Sequence, residues 1–392
     1  MRVRVVTPWY PDYVSPYSGI FVQKQVSALE SLGVVVDVEY PHIFPAPPDA
    51  IPVEVWESLR ALASADPGAA FSTEGNVTWI PAPVPSRSGS LGRAEAFARA
   101  ISIKREFLPG SVDVTHAHLG IPTGLALLEL GDSPLVVTEH QSTLGRVFGQ
   151  PGAKDAYRRT IEAADAFFCV SEHLRQQIMG ALGSEYGSRV GVIPNIVDLA
   201  DIPFRERGTA LGRHWIYVGT LALHKGIEAV LRSFRLFHKS VDKTARLALV
   251  GAGPHRPWVE RFVAANGLGE FVDIHGAQTH RRVGALLDEA DVMVHLSPSE
   301  TFGIATLEAI GAGLPVVSVR NGGAENAWGE IEVKVGRLLP AGCTQMDVVN
   351  AVVDLRERWE TLDPIGGRDL VDRLYSPSVV AQRLTEVYEA CA

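Results

Sequence analysis

Twelve short β-branched runs, each separated from the next by a helical or turn-rich pattern, constrain this chain more than any other feature. In the first half they are Val3–Thr7, Val34–Val38, Val77–Ile80, Val112–Thr115, Leu135–Thr138, Ala166–Val170 and Val190–Ile193. In the second half they are His214–Val218, Arg246–Val250, Phe271–His275, Val292–His295 and Pro315–Val319. Strands that alternate with helices build βαβ units, and so parallel sheets buried on both faces. Right-handed crossovers make each half a doubly wound α/β sheet. The chain has 392 residues, and at roughly 100–200 residues per domain that is about two domains. Turn residues and charges between Pro194 and Thr209 carry little periodicity and read as a linker. The expected boundary lies near Ile202–Leu211, giving domains 1–205 and 206–376. The last helix, about Pro377–Ala392, is expected to cross back to the first domain. Pro41–Ser90 is rich in Pro, Ala and Ser and is expected to be irregular or an insertion.

Composition narrows the partners. Hydrophobic residues make up 46% and the net charge is −9, so the basic footprint of a nucleic-acid binder is missing. Cys169, Cys343 and Cys391 are widely spaced, without a CxxC pair, which argues against a disulfide framework or zinc ribbon. The apolar stretch after Met1 is too short for a signal peptide, and no later run reaches 18 apolar residues. A soluble cytoplasmic protein is expected, with peripheral membrane contact left open.

Several chemistries fail on their motifs. Gly251-Ala252-Gly253-Pro254-His255-Arg256 begins like a dinucleotide fingerprint, but its sixth position is Arg256. There is no phosphate-loop GxxxxGK[ST], no HExxH and no GxSxG. The absence of a strict Asp-x-Asp speaks against a metal-clamped diphosphate, so no metal is expected.

The segment from Ser297 to Val317 is the most informative. A strand ends near Leu296, a Ser-Pro turn follows, and a helix is predicted from about Thr301–Gly303 to Gly313. Its N-terminus opens at the carboxyl end of a parallel strand, where open α/β sheets bind ligands. N–H groups around Phe302, Gly303 and Ile304 suit a diphosphate. Glu300 and Glu308 are eight residues apart, or about 80° on a helical wheel. Carboxylates accept hydrogen bonds from vicinal hydroxyls, as on sugars and ribose. Taken singly, Glu300 is equally a helix-start acid favoured by the macrodipole, and Glu308 an ordinary helix former.

The S-x-x-E-x-F-G-x-x-x-x-E-A-x-x-x-G-x-P-V-V pattern resembles the retaining glycosyltransferase family 4 group. The resemblance continues in Val250-Gly251-Ala252-Gly253-Pro254, Val272–Gly276, Ala290-Asp291-Val292, Val192–Asp198 and Ser18-Gly19-Ile20-Phe21-Val22. It implies the GT-B fold, two Rossmann-like domains facing across a cleft, with the acceptor side in 1–205 and the nucleotide sugar in 206–376. It implies a hexosyltransferase-type enzyme using a UDP- or GDP-sugar as co-substrate and no cofactor. By this resemblance Glu300 contacts the sugar hydroxyls, Glu308 the ribose and Lys225 the diphosphate. His118 lines the sugar near the reacting carbon, and Gly19 lies in a loop touching donor phosphate or acceptor. Gly251 belongs to the glycine turn, and base recognition falls to the backbone at Gly276-Ala277-Gln278. Family members commonly carry G-R-x-x-x-x-K-G, whereas Gly219-Thr220-Leu221-Ala222-Leu223-His224-Lys225-Gly226 has Thr220 at the arginine position. The diphosphate clamp is then expected to rest on Lys225, the helix start and His224.

Other readings stay open on residues alone. Lys225 also reads as a solvated lysine. Glu139-His140 ends another strand and is a candidate acceptor contact. His116 and His118 are expected on opposite strand faces, one of them structural. Arg87, Arg93, Arg99, Lys104 and Arg105 read as a solvated basic helix face. An NDP-sugar epimerase and a non-catalytic sugar-nucleotide-binding subunit are the alternatives on the same fold.

Overall fold

A computed structural model describes residues 1–46, 51–207 and 212–392. Its contacts group into two units, Met1–Pro194 with Pro377–Ala392, and Asn195–Ser376. The division falls after Pro194, at the start of the expected linker and ahead of the expected boundary. Much of that stretch packs into the second unit. Ile196, Val197, Leu199 and Ile202 are buried, Val197 N–H donates to Tyr375 O at 2.8 Å, and the Arg207 guanidinium donates to the Leu287, Ala290 and Ala312 carbonyls. The end of the expected linker, 208–211, lies outside the described residues.

Eight strands form the sheet of the first unit: β1 (Arg2–Val6), β2 (Val35–Ala46), β3 (Ser72–Glu74), β4 (Val77–Pro85), β5 (Val114–His118), β6 (Leu135–Glu139), β7 (Ala166–Cys169) and β8 (Val190–Val192). Their order is β3-β4-β2-β1-β5-β6-β7-β8, and all pairs are parallel except β3 with β4. From β1 the chain runs outward to β2, then returns to place β5 on the other side. That reversal opens a crevice at the carboxyl ends of β1 and β5.

The Pro-rich stretch is not irregular. β2 pairs with β4 through Val38–Ala46 and Val77–Pro85, and a helix spans Val53–Ala65. Pro81, Pro83 and Pro85 occupy alternate positions of β4. Their missing N–H groups therefore fall on one edge, where beyond Trp79 no strand pairs. Alternation, rather than proline content, was the signal for a strand.

The basic run divides in two. Arg87, Arg93 and Arg99 are exposed. Lys104 and Arg105, on helix Ser90–Phe107, turn inward onto Glu39 at 3.0 and 2.9 Å, with Arg4 at 3.2 Å. Burial alone would push the Glu39 carboxyl up, but Arg105, Lys104 and Arg4 outweigh it and hold it below its ordinary value of 4.5. The terminal helix Pro377–Cys391 buries Val380, Ala381, Leu384 and Tyr388 on one face and packs against helix Ile20–Ser31.

Six parallel strands form the second unit: β9 (His214–Val218), β10 (Arg246–Val250), β11 (Val272–Gly276), β12 (Val292–His295), β13 (Val316–Val319) and β14 (Gly336–Leu339), in the order β11-β10-β9-β12-β13-β14. Trp215, Tyr217, Phe234 and Phe237 anchor its core. The chain winds from β9 to β11 and then returns to β12 on the other side of β9. The switch point places the loops after β9 and β12 side by side at the carboxyl ends.

Replacing Glu39 by Gln should cost about 3–5 kcal/mol, because it leaves buried cations without their counter-charge. Because the folded carboxyl sits below its ordinary value, its contribution is complete above about pH 4.5 and is lost as pH falls through the lower folded value. Urea denaturation of both proteins between pH 3 and 7 checks this, and equal stability at pH 7 would contradict it.

Candidate active site

In the second unit the loop Gly219–Gly226 follows β9. The Tyr217 hydroxyl donates to Thr220 O at 2.9 Å and reaches Lys225 O at 3.4 Å, pinning the loop from beneath. Gly226 has φ +73°, and a β-carbon there would lie 2.1 Å from Leu296 O. Only glycine permits this approach, which sets the loop against the end of β12. Lys225 and Glu300, 75 residues apart, then meet at 2.8 Å between Nζ and Oε1. Glu300 is itself fixed, since its N–H donates to Asn321 O at 3.1 Å and it bridges to Gly322.

His295 lies behind this pair. Its Nε2 is 3.9 Å from Glu300 Oε1, and its ring stacks on Tyr217 with centroids 5.8 Å apart. Burial pushes His295 below its ordinary value, opposed by Glu300. Burial would raise the Glu300 carboxyl, but His295 and Lys225 outweigh it and hold it down. The Glu300 carboxyl is therefore ionised at neutral pH.

The remaining predicted residues of this unit take varied places. The glycines at 251 and 253 are accounted for by loop packing, since β-carbons would lie 1.9 Å from Gly219 O and 2.4 Å from Leu221 O. Thr220 and His224 are exposed, and Ala277 is half-buried just beyond β11. Phe302 is buried edge-on against Tyr375 at 5.2 Å, so only its backbone can face a ligand. The helix runs Ile304–Gly311, starting and ending slightly inside the expected span, and Gly303 caps it at φ +89°. Gly303 O receives the N–H groups of Thr306 and Leu307, so those of Ile304 and Ala305 point out of the helix start. Glu308, on this helix, meets His280 Nε2 at 3.1 Å in a second acid–base pair.

In the first unit Gly19 has φ +68°, and a β-carbon would lie 2.2 Å from Trp9 O, so it packs on the loop after β1. The next residues open helix Ile20–Ser31, where Phe21 meets the His140 ring at 4.7 Å. His118 Nδ1 lies 2.9 Å from His140 Nε2. His118 Nε2 is buried and has no hydrogen-bond partner among the described residues. The expectation that His116 and His118 face apart is corrected: their rings are 4.6 Å apart, because residues two apart in a strand share a face. His116 is held between Tyr388 Oη (2.6 Å) and Thr138 Oγ1 (2.8 Å). Burial and His140 push His116 down to about 3, and burial with His116 and His140 pushes His118 well down. The next residue, Leu119, has φ +80°, a strained conformation for a branched side chain.

Glu139, a candidate acceptor contact, is engaged by the protein itself. It is fully buried, and its carboxylate accepts from Gly120 N–H (3.0 Å), His140 N–H (2.9 Å), Gln141 N–H (2.7 Å) and Tyr157 O–H (2.8 Å). Burial raises its carboxyl, opposed by these donors. Its lone pairs are taken by the protein, so it braces the loop that carries His140.

Tyr217, His295, Asn321, His280, Tyr388 and Leu119 were not foreseen as site residues. A polar His295 at the end of an otherwise apolar strand was the one available signal. A separate groove of about 770 Å³ in the second unit, lined by Arg205, Arg213, Arg246, Asp273 and Asp288, contains none of the predicted site residues. Among the described residues no group of three His, Cys, Asp or Glu is placed to hold a metal ion. No described helix is long and apolar enough to cross a membrane.

Two parallel-sheet units with switch-point loops, one carrying a lysine–glutamate pair beside a helix start, define a GT-B sugar-transferring enzyme. The profile described as Glycosyltransferase Family 4 matches residues 18–201, and that described as Glycosyl transferases group 1 matches 212–363. The chain belongs to glycosyltransferase family 4 and is a hexosyltransferase-type enzyme. It is 28% identical over 340 residues to a glycogen synthase of Mycobacterium tuberculosis, covering 83% of this chain and 80% of the relative. It is 28% identical over 352 residues to a phosphatidyl-myo-inositol mannosyltransferase of Mycobacterium leprae, covering 86% and 89%. Among solved structures, sucrose-phosphate synthase of Thermosynechococcus elongatus superposes with a TM-score of 0.74 at 16% identity, covering 100% and 99%. HepE of Anabaena in complex with UDP superposes with 0.69 at 16%, covering all of both chains.

Glu139→Gln should cost at least about 2 kcal/mol, since an amide cannot accept from all four donors and leaves buried N–H groups unpaired. Chemical denaturation reads this directly. Unchanged stability with only a raised acceptor KM would return Glu139 to the acceptor site.

Proposed function

We propose that this enzyme transfers a sugar from a nucleotide-diphosphate donor, a UDP- or GDP-sugar, to an acceptor hydroxyl with retention of anomeric configuration and without a metal. The observation that carries this reading is the Lys225–Glu300 contact at 2.8 Å beside the start of helix Ile304–Gly311. One cation and the N–H groups of Ile304 and Ala305 suit the charge that develops on the leaving diphosphate. A carboxylate next to them suits the sugar hydroxyls. Glu308 is assigned to the ribose.

The second unit is assigned the donor, in line with the UDP bound by HepE. The first unit is assigned the acceptor side, where His118 Nε2 is the buried atom offered to a substrate hydroxyl. Front-face attack, in which the leaving diphosphate helps to deprotonate the acceptor, is favoured by the resemblance to the family, and among the described residues of the first unit no free carboxylate lies beside His118. Glu139 is occupied by its four donors. Relatives named for inositol phosphate and phosphatidylinositol acceptors support a polyol or polyol-headed lipid as acceptor. Thr220 in the arginine position leaves the diphosphate with one cation fewer, so Lys225 carries more of the load.

Lys225→Ala should lower turnover per folded enzyme by about 10²–10³, and should also cost some stability, because the mostly buried Glu300 loses its cation. Nucleotide release from a panel of UDP- and GDP-sugars, with and without polyol acceptors, measures it. Near-normal turnover of the variant would sink the assignment, and release of an epimerised donor without acceptor would replace transfer by epimerisation.

A further inference from the structure

We propose that Glu300 is a specificity residue that makes the donor site discriminate between a sugar nucleotide and the bare nucleoside diphosphate that transfer leaves behind. The inference rests on the donor reading above and goes beyond it in assigning Glu300 a role against the product.

The ammonium suited to the diphosphate is the one that pairs with Glu300, and the pair is sheltered, with side chains 24% and 14% exposed. A bare diphosphate meets this pair in one of two ways. If Lys225 keeps its bond to Glu300, the carboxylate stands within a few ångströms of the phosphate oxygens, and like charges at that distance repel. If Lys225 turns to the phosphate, a mostly buried carboxylate loses its cation. It then keeps only the Ser297 hydroxyl as a hydrogen-bond donor, with His295 Nε2 3.9 Å away and beyond hydrogen-bond reach, so no full cation replaces Lys225. Leaving a buried charge unpaired is the costly way to break an ion pair.

A sugar nucleotide avoids the penalty. Its sugar hydroxyls donate to the carboxylate oxygens as Lys225 turns to the diphosphate, so the exchange leaves no group unpaired. The same carboxylate that favours the donor therefore disfavours the product, and release of the nucleoside diphosphate restores the Lys225–Glu300 bond. The neighbouring backbone suits this exchange. Glu300 is anchored through its own N–H to Asn321 O, and Lys225 through the carbonyl above Tyr217, so both side chains can change partners without moving the loops.

The test uses calorimetric titration of the full chain with UDP, GDP, UDP-glucose and GDP-mannose. Glu300→Gln removes the charge and keeps the shape, while Glu300→Ala serves if the glutamine variant misfolds. Both should bind the cognate bare nucleotide about tenfold more tightly than the natural protein, the size expected for freeing one charged hydrogen-bond donor. Affinity for the cognate sugar nucleotide should not rise, so the ratio between the two ligands collapses by about tenfold. A merely structural ion pair would weaken both ligands alike, and that result, or unchanged affinity for the bare nucleotide, overturns the proposal while leaving the donor reading in place. If the natural protein binds none of the four ligands, the donor reading fails and this proposal fails with it.

Discussion

Gly226 lies so close to the end of β12 that a β-carbon would stand 2.1 Å from the Leu296 carbonyl. The rest of the donor side depends on this contact. It lets the loop after β9 lie on the loop after β12, which carries Lys225 to Glu300 at 2.8 Å. The parallel sheet supplies the direction, because its strand order reverses between β9 and β12. Tyr217 and the Gly251–Gly253 turn brace the loop from below and from the side. An acidic chain thus sets one cation beside a helix start, which its net charge of −9 does not foretell.

The first unit works by neutrality rather than charge. His116, His118 and His140 lie in line, with neighbouring ring centroids 4.6 and 5.0 Å apart. Burial removes the positive charge from His116 and His118. Tyr388, from the returning terminal helix, and Thr138 fix the first ring, while His140 fixes His118. Glu139, immersed behind them, gathers four donors and holds the loop that carries His140. What this cluster leaves open is a buried imidazole nitrogen, His118 Nε2, rather than a cation.

Much of this was legible in the sequence. Each of the twelve β-branched runs falls on a strand, because fully buried parallel strands read as uninterrupted apolar segments. The strands that escaped notice are β3, three polar exposed residues, and β14, which begins at Gly336 and includes Arg337. The Pro-rich stretch misled because composition hid the alternation of Pro81, Pro83 and Pro85. Glu300 and Lys225 were legible through their motifs, whereas His295 and Tyr217 were not, since a strand residue's neighbours across the sheet lie far away in sequence. The four donors on Glu139 were not legible, because a strand's carboxyl end marks where a ligand can bind without telling whether the protein has already filled the carboxylate.

The decisive measurement is a crystal structure with the cognate UDP- or GDP-sugar bound. Diphosphate oxygens should sit on Lys225 Nζ and on the N–H groups of Ile304 and Ala305, with sugar hydroxyls on Glu300. A nucleotide seated instead in the groove of Arg205, Arg213 and Arg246, with the Lys225–Glu300 bond intact, would contradict this placement.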